Sequence, residues 1–165
     1  YTVPTALVEG TLLLCASDVL ADTSAINMNG GTLDVAGFDD TLGVLTLLAT
    51  SLIDLGLGTD ALLSFADSSM VLWNESAFLD VSNWSGNPAG GGTEQVRLSN
   101  TNSALTAAQL ARIRFLIPAG FAPGTYEAQF SEINPGEIIP VPEPATLALL
   151  PAGLALLLSR RGRRR

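Results

Sequence analysis

Short stretches of alternating apolar and polar residues follow one another through residues 1–140, each bounded by turn-forming residues. One motif recurs: Gly31-Thr32-Leu33-Asp34-Val35 matches Gly10–Leu14 before it, and its Leu-Asp-Val part matches Ile53–Leu55 and then Leu79–Val81 after it. Short alternating strands separated by tight turns predict an all-β chain. A repeat of roughly 20 residues favours a β-solenoid, or β-helix, in which successive coils stack.

Further alternating runs at Thr41–Leu47, Ala61–Phe65 and Met70–Trp73 extend the strand pattern. Turn sequences such as Asn29-Gly30-Gly31 separate the runs. A β-sandwich is the alternative, because it also consists of short alternating strands. The recurring Leu-Asp-Val register favours the solenoid, since a sandwich has no need of it.

Three aspartates define that register. We expect Asp34, Asp54 and Asp80 at equivalent, outward-facing positions of successive coils, where a row of charges limits pairing between sheet edges. The stretch Gly30–Gly37 resembles the autotransporter-associated β-strand repeat, in which Gly-Gly-Thr-Leu-Asp recurs along a β-helix. That resemblance implies a right-handed β-helix, although the copy near Gly10 has leucine in place of the aspartate.

A cap is expected to end the solenoid, because an open terminal coil exposes strand edges. We assign residues 1–78 to the solenoid repeats, 79–131 to the cap and 132–140 to an extended linker rich in Pro, Gly and Glu. Within the cap, Thr106 and Gln109 have the spacing of a capping box that begins a short helix at 107–111. Strands are predicted on either side, at 94–98 and 113–117.

Residues 141–165 combine a short motif, an apolar run and a basic cluster. The motif is Val141, Pro142, Glu143 and Pro144, and the apolar run Ala145–Leu158 has about 21 Å of helical length. A span that short crosses the roughly 30 Å hydrocarbon core only marginally. The expected membrane contacts are Ala145, Leu147, Leu149, Leu150, Leu154, Leu156, Leu157 and Leu158, and the basic stop is Arg160, Arg161, Arg163, Arg164 and Arg165. The positive-inside rule predicts a cytoplasmic C-terminus, with residues 1–140 on the far side.

This order of elements resembles the PEP-CTERM sorting signal of Gram-negative bacteria, with Pro142-Glu143-Pro144 as its motif. The resemblance implies recognition by an exosortase-type membrane protease and processing near the motif. It also implies a protein anchored in the membrane, displayed at the cell surface or released outside the cell. Because such a protein needs an export signal at its other end, we expect the sequence to be the C-terminal part of a longer precursor, or else a mature or truncated form.

Charge and composition exclude several kinds of function. Residues 1–158 carry 16 acidic residues against three arginines, a net charge of −13, so nucleic acid is not an expected partner. The chain has neither histidine nor lysine, and Cys15 is predicted as a small buried apolar residue. Ser-His-Asp, Cys-His and zinc sites therefore have no candidates. Calcium-binding repeats are missing as well, and we expect no metal and no cofactor.

The expected function is therefore that of a non-enzymatic, exported surface or matrix protein. One alternative is a polysaccharide-cleaving enzyme on the same fold that uses paired carboxylates such as Asp39-Asp40, although solvated surface carboxylates are the preferred interpretation. A membrane-tethered protein with an unprocessed tail is another. Exopolysaccharide is a candidate partner through Trp73 or Trp84; Trp73 is expected to pack in the core, and Trp84 to be more open.

Overall fold

The computed structural model describes residues 3–58 and 60–142, and in these residues the chain is mostly β. The prediction of an all-β chain is confirmed. The strands are β1 (Thr5–Leu7), β2 (Thr11–Leu13), β3 (Ile26–Asn29), β4 (Thr32–Asp34), β5 (Asp40–Leu42), β6 (Leu45–Ala49), β7 (Ser51–Asp54), β8 (Leu62–Phe65), β9 (Leu79–Ser82), β10 (Gln95–Leu98), β11 (Ile113–Leu116), β12 (Thr125–Phe130) and β13 (Glu137–Pro140), and a short helix, α1, spans Ala107–Leu110.

The strands pair in three parallel ladders. Ladder A contains β1, β3 and β6; ladder B contains β2, β4, β7, β9 and β11; ladder C contains β5, β8 and β10. From β3 to β8 the chain passes through ladders A, B and C in that order twice. The β-sandwich alternative is disfavoured, because its strands pair antiparallel. Ladders B and C belong to one curled ten-stranded sheet.

The register in ladder B follows the sequence repeat at first and then departs from it. Thr32 pairs with Thr11 and Asp34 pairs with Asp54, as the first two repeat offsets predict. The third offset is wrong: Asp54 lies opposite Ser82, and Asp80 lies opposite Leu52. The strand is displaced by two positions. Such a shift leaves every side chain on its original face of the strand, so the apolar pattern alone did not reveal it.

Inward-facing side chains form continuous apolar rows between the ladders. In ladder B, Leu33, Ile53, Val81 and Phe115 are in register, and all four are fully buried. The facing strands of ladders A and C contribute further buried residues, namely Ile26, Met28, Leu45, Leu47, Leu42, Leu63, Phe65, Val96 and Leu98. Each such side chain contributes roughly 1.5–3 kcal/mol when it leaves water.

Antiparallel strands close one end of the molecule. β12 pairs with β11 of ladder B, and β13 pairs with both β12 and β10 of ladder C. The linker predicted at 132–140 is therefore wrong for β13, which is buried along its whole length. Its Pro and Gly content suggested an extended segment, but Ile138 and Ile139 complete the core instead. The parallel ladders also run past residue 78, because β9, β10 and β11 belong to them.

A loop at residues 66–78 takes the place at which the chain order would put another strand of ladder A. The strand predicted at Met70–Trp73 is wrong, since Met70 lies in a turn, Val71 in a bend, and Leu72 and Trp73 in irregular backbone. Polar groups of Trp73 and Asn74, in the 66–78 loop, instead donate hydrogen bonds to β6. Trp73 Nε1 donates to the Leu45 carbonyl oxygen at 2.9 Å, and the backbone and side-chain nitrogens of Asn74 donate to the carbonyl oxygens of Leu47 and Leu48.

The predicted cap helix is confirmed, with both halves of its capping box formed. Thr106 Oγ1 accepts from the backbone N–H of Gln109, and Gln109 Oε1 accepts from the backbone N–H of Thr106 at 2.7 Å. The Gln109 amide nitrogen then donates to the carbonyl oxygens of Ser68 and Val71, both at 2.9 Å. One buried glutamine therefore joins α1 to the 66–78 loop.

Candidate functional site

Asp34 and Asp54 lie in register on the half-exposed face of ladder B, as expected from the repeat. Each carboxylate accepts a hydrogen bond at 3.0 Å from a backbone N–H further along the chain: Asp34 from Ala36 and Asp54 from Gly56. Asn83 also donates to Asp54, at 2.7 Å. These contacts shape the turns that leave the strands. Asp80 instead forms an ion pair with Arg114.

Asp39 and Asp40, the candidate carboxylate pair, face different surroundings. Asp39 is exposed and accepts a hydrogen bond from the Leu62 backbone at 2.7 Å, whereas Asp40 is 1% exposed. The burial of Asp40 therefore contradicts the prediction that this carboxylate is solvated. Its Oδ2 accepts from the Leu20 backbone at 3.2 Å, and Oδ1 has no partner among the described residues. Neighbouring residues of an extended segment point to opposite faces, which separates this pair.

Two glutamates near the closed end are also buried. Glu94 is 1% exposed and accepts from the Ser85 backbone; Glu137 is fully buried and accepts from the Gly91 backbone at 2.6 Å and from Asn134 at 2.8 Å. Both glutamates hold the glycine-rich loop at residues 84–94. No sequence motif revealed their burial. Among the described residues there is no cluster of three metal-ligating side chains.

Burial changes the proton affinity of two of these acids. Loss of hydration raises the pKa of the Asp40 carboxyl, and the charge of Asp18 raises it further against the lowering effect of backbone hydrogen bonds. Loss of hydration also raises the pKa of Glu94, with a smaller contribution from Asp60. The exposed Asp67 behaves oppositely, because hydrogen bonds from Ser69 lower its pKa.

The prediction that Trp84 is open is wrong, whereas Trp73 packs against the core as predicted but is not fully buried. Trp84 is fully buried and packs edge-to-face on Phe115 and Phe121, with ring centroids 5.6 and 6.2 Å apart. Trp73 is only partly buried. Its neighbours Met70 and Leu72 are about nine-tenths exposed, so the apolar run around Trp73 is not itself part of the core. The glycine-rich loop beside Trp84 suggested exposure, but that loop folds over the ring.

A pocket of about 380 Å³ lies between the 66–78 loop and α1, and we name it the loop–helix pocket. Trp73, with its indole nitrogen fixed on Leu45, forms part of its wall. The other lining residues are Ser69, Met70, Val71, Leu72, Glu75, Thr106, Ala108, Gln109, Ala111 and Arg112. The pocket therefore combines an aromatic surface, exposed aliphatic side chains, and polar groups that include both hydrogen-bond donors and acceptors.

The cations beside the loop–helix pocket are arranged around one ring. Arg114 stacks on Phe78 with its guanidinium carbon 3.9 Å from the ring centroid, and its Nε and Nη2 donate to the two Asp80 oxygens at 2.8 and 3.0 Å. Arg112 lies 5.5 Å from the same centroid. In the described part of the chain Arg112 has no ion-pair partner, and it lines the pocket.

Cys15 is exposed, contrary to the prediction that it is buried. It follows Leu14, which takes the buried position at the end of that apolar run. Cys15 itself lies past the end of β2, outside the core.

The predicted sorting motif begins at the end of the sheet. The backbone N–H of Val141 donates to the Glu127 carbonyl oxygen at 2.8 Å, and Pro142 is exposed beside Phe121 and Tyr126. Glu143, Pro144, the apolar run and the arginine cluster lie outside the described residues. Within the described ranges, no helix has both the length and the apolar character that crossing a membrane requires.

Comparison with known proteins gives no match: no family model, no curated protein and no solved structure is significantly similar to the chain.

Proposed function

We propose that the chain is a non-enzymatic, exported β-solenoid protein sorted through a PEP-CTERM-like signal at residues 141–165. In this proposal ladders A, B and C are the three faces of a right-handed solenoid. The order in which the chain visits the ladders supports that assignment, as do the apolar rows between them. A stack of this kind is a passive scaffold unless its surface carries a site.

The observation that carries the proposal is the position of Pro142. Among the described residues, the last strand ends at Pro140, Val141 donates the last backbone hydrogen bond, and Pro142 is exposed directly afterwards. Because Pro142 is exposed and lies outside the strands, a membrane protease can reach this residue without unfolding of the sheet. The apolar run and the arginine cluster that follow in the sequence provide the membrane segment and its orientation.

Export and processing are tested together in a bacterium that has an exosortase-type protease. The chain is expressed behind a bacterial export signal, in the parent strain and in a strain without the protease, and the C-terminus of the mature protein is read by mass spectrometry. We expect loss of the arginine cluster only in the parent strain. Recovery of residues 160–165 on mature protein from both strains would contradict processing.

A matched pair of variants locates the recognised residues. We expect Glu143→Ala, within the motif, to leave the chain unprocessed, and Glu132→Ala, an exposed acid before β13, to be processed like the parent. Equal processing of both variants would exclude the motif as the recognition element. A chain that stays in the cytosolic fraction despite the export signal would contradict the proposed location.

A further inference from the structure

We propose that the loop–helix pocket binds a neutral oligosaccharide, with Trp73 as the stacking surface and Arg112 and Glu75 as hydrogen-bonding groups. The inference deepens the proposed display role by naming the class of ligand, and its biological use rests on that role. Binding itself depends only on the pocket.

The size and the wall of the pocket suit a small cyclic ligand. A volume of about 380 Å³ lies within the range of roughly 300–1,000 Å³ found for small-molecule sites. Trp73 is only partly buried, and its hydrogen bond to Leu45 fixes the ring without any contribution from a ligand. The negative face of an indole attracts the polarised C–H groups on one face of a pyranose ring. Met70 and Leu72 extend that apolar surface.

The polar groups of the pocket match hydroxyl groups. A guanidinium only donates hydrogen bonds and a carboxylate only accepts them, whereas a sugar hydroxyl does both. Arg112 and the exposed Glu75 both line the pocket, and neither is engaged in an ion pair within the described residues. Thr106 is exposed at the same rim. The pocket thus offers donors and acceptors to a vicinal diol.

Charge selects a neutral ligand over a polyanion. Arg112 and Glu75 cancel each other, while residues 1–96 contain no arginine or lysine and residues 1–158 carry a net charge of −13. A polyanionic chain that extends from the pocket would meet acidic surface on most sides. An apolar peptide is less well matched, because it would leave the Arg112 and Glu75 charges desolvated without hydrogen-bonding partners.

The difference between the two tryptophans gives a direct readout. Trp84 is fully buried and Trp73 is not, so a ligand in the pocket changes the fluorescence of Trp73 alone. The full chain, purified in detergent, is titrated with maltohexaose, cellohexaose and mannohexaose. We expect a saturable change with at least one of them, retained in Trp84→Phe and lost in Trp73→Phe, with far-UV circular dichroism confirming that both variants fold.

Matched charge variants test the polar contacts. We expect Arg112→Gln and Glu75→Gln each to weaken binding by about tenfold, since each removes a hydrogen bond that involves a charged group. Arg97→Gln and Glu132→Gln, whose side chains do not line the pocket, should bind like the parent. The absence of saturable binding of any neutral hexaose, or tighter binding of trigalacturonate or of an apolar peptide, would overturn the proposal. These results are independent of processing at residues 141–144.

Discussion

The two ends of the strand stack differ in how their strand edges are covered. At the first end, β1 and β2 each have a strand partner on one side only, and Val3, Val8 and Leu13 are more than half exposed. At the other end, the 66–78 loop covers β6, and β12 and β13 join ladders B and C. Parallel strands alone do not end a stack, because each leaves an edge for the next. The stack ends here because the 66–78 loop, β12 and β13 do not follow the repeat and cover or pair the exposed edges.

The strongest effect that we expect contrasts the middle of the stack with its first end. Ile53 and Leu12 belong to one row, through Leu33, but Ile53 is fully buried and Leu12 only partly. We expect Ile53→Ala to lower the free energy of unfolding by about 3 kcal/mol, and Leu12→Ala by about 1 kcal/mol, because only the first leaves a closed cavity. Urea unfolding followed by circular dichroism measures both. Equal losses would mean that the first end is as well packed as the middle.

The next effect concerns the closed end. Gln109→Ala removes the partners of the Ser68 and Val71 carbonyl oxygens and of the Thr106 amide, so we expect a loss of about 2 kcal/mol in the free energy of unfolding. Hydrogen exchange should also become faster in the 66–78 loop. The control is Gln129→Ala, at a half-buried position of β12, which should change stability by less than about 0.5 kcal/mol. A similar loss in both variants would contradict the role given to Gln109.

The weakest effect that we expect is the pH dependence of stability caused by the buried acids Asp40 and Glu94. Both have a pKa raised by burial, so the folded chain binds more protons than the unfolded chain between the ordinary and the raised pKa. Their contribution is therefore most favourable at acid pH and is lost as pH rises through the raised values. We expect Asp40→Asn and Glu94→Gln to be more stable than the parent at pH 7, with the difference vanishing near pH 4.

Asp67→Asn is the control for pH. Its pKa is lowered by Ser69, so its contribution is present at neutral pH and lost as pH falls, and the variant should be slightly less stable than the parent at pH 7. Thermal unfolding at pH 4, 5, 6 and 7 compares the three variants. If the stability of the parent chain did not depend on pH in this range, the claim that burial raises the pKa of Asp40 and of Glu94 would be contradicted.

Local patterns in the sequence predicted local structure well. The alternation around Leu33 and the spacing of Thr106 and Gln109 depend on near neighbours in the chain, and both predictions are confirmed. The third copy of the repeat failed, because the 66–78 loop lengthens the path between β7 and β9, and Leu79 pairs with Ser51 in place of Ile53. Register across such a loop depends on which rows pack, and a shift by two positions leaves the apolar pattern unchanged.

The loop–helix pocket was beyond prediction for a similar reason. The sequence offers Trp73 as a candidate sugar-stacking residue, but Arg112 lies far away in sequence, and only the fold brings the two to one pocket. The incomplete burial of Trp73 and the full burial of Trp84 likewise depend on where each loop folds. The composition around a residue predicts that a loop is present, but it does not predict which side chains that loop will bury.

Residue type and short-range spacing were enough to establish the strand-rich class, the first two offsets of the repeat, the capping box of α1 and the acidic charge. The register of β9, the incorporation of β13, the burial of Asp40, Glu94 and Glu137, and the meeting of Trp73 with Arg112 were set only by the folded arrangement. These features depend on contacts between segments that are distant in sequence, where burial of apolar surface selects one arrangement among several compatible with the same local pattern.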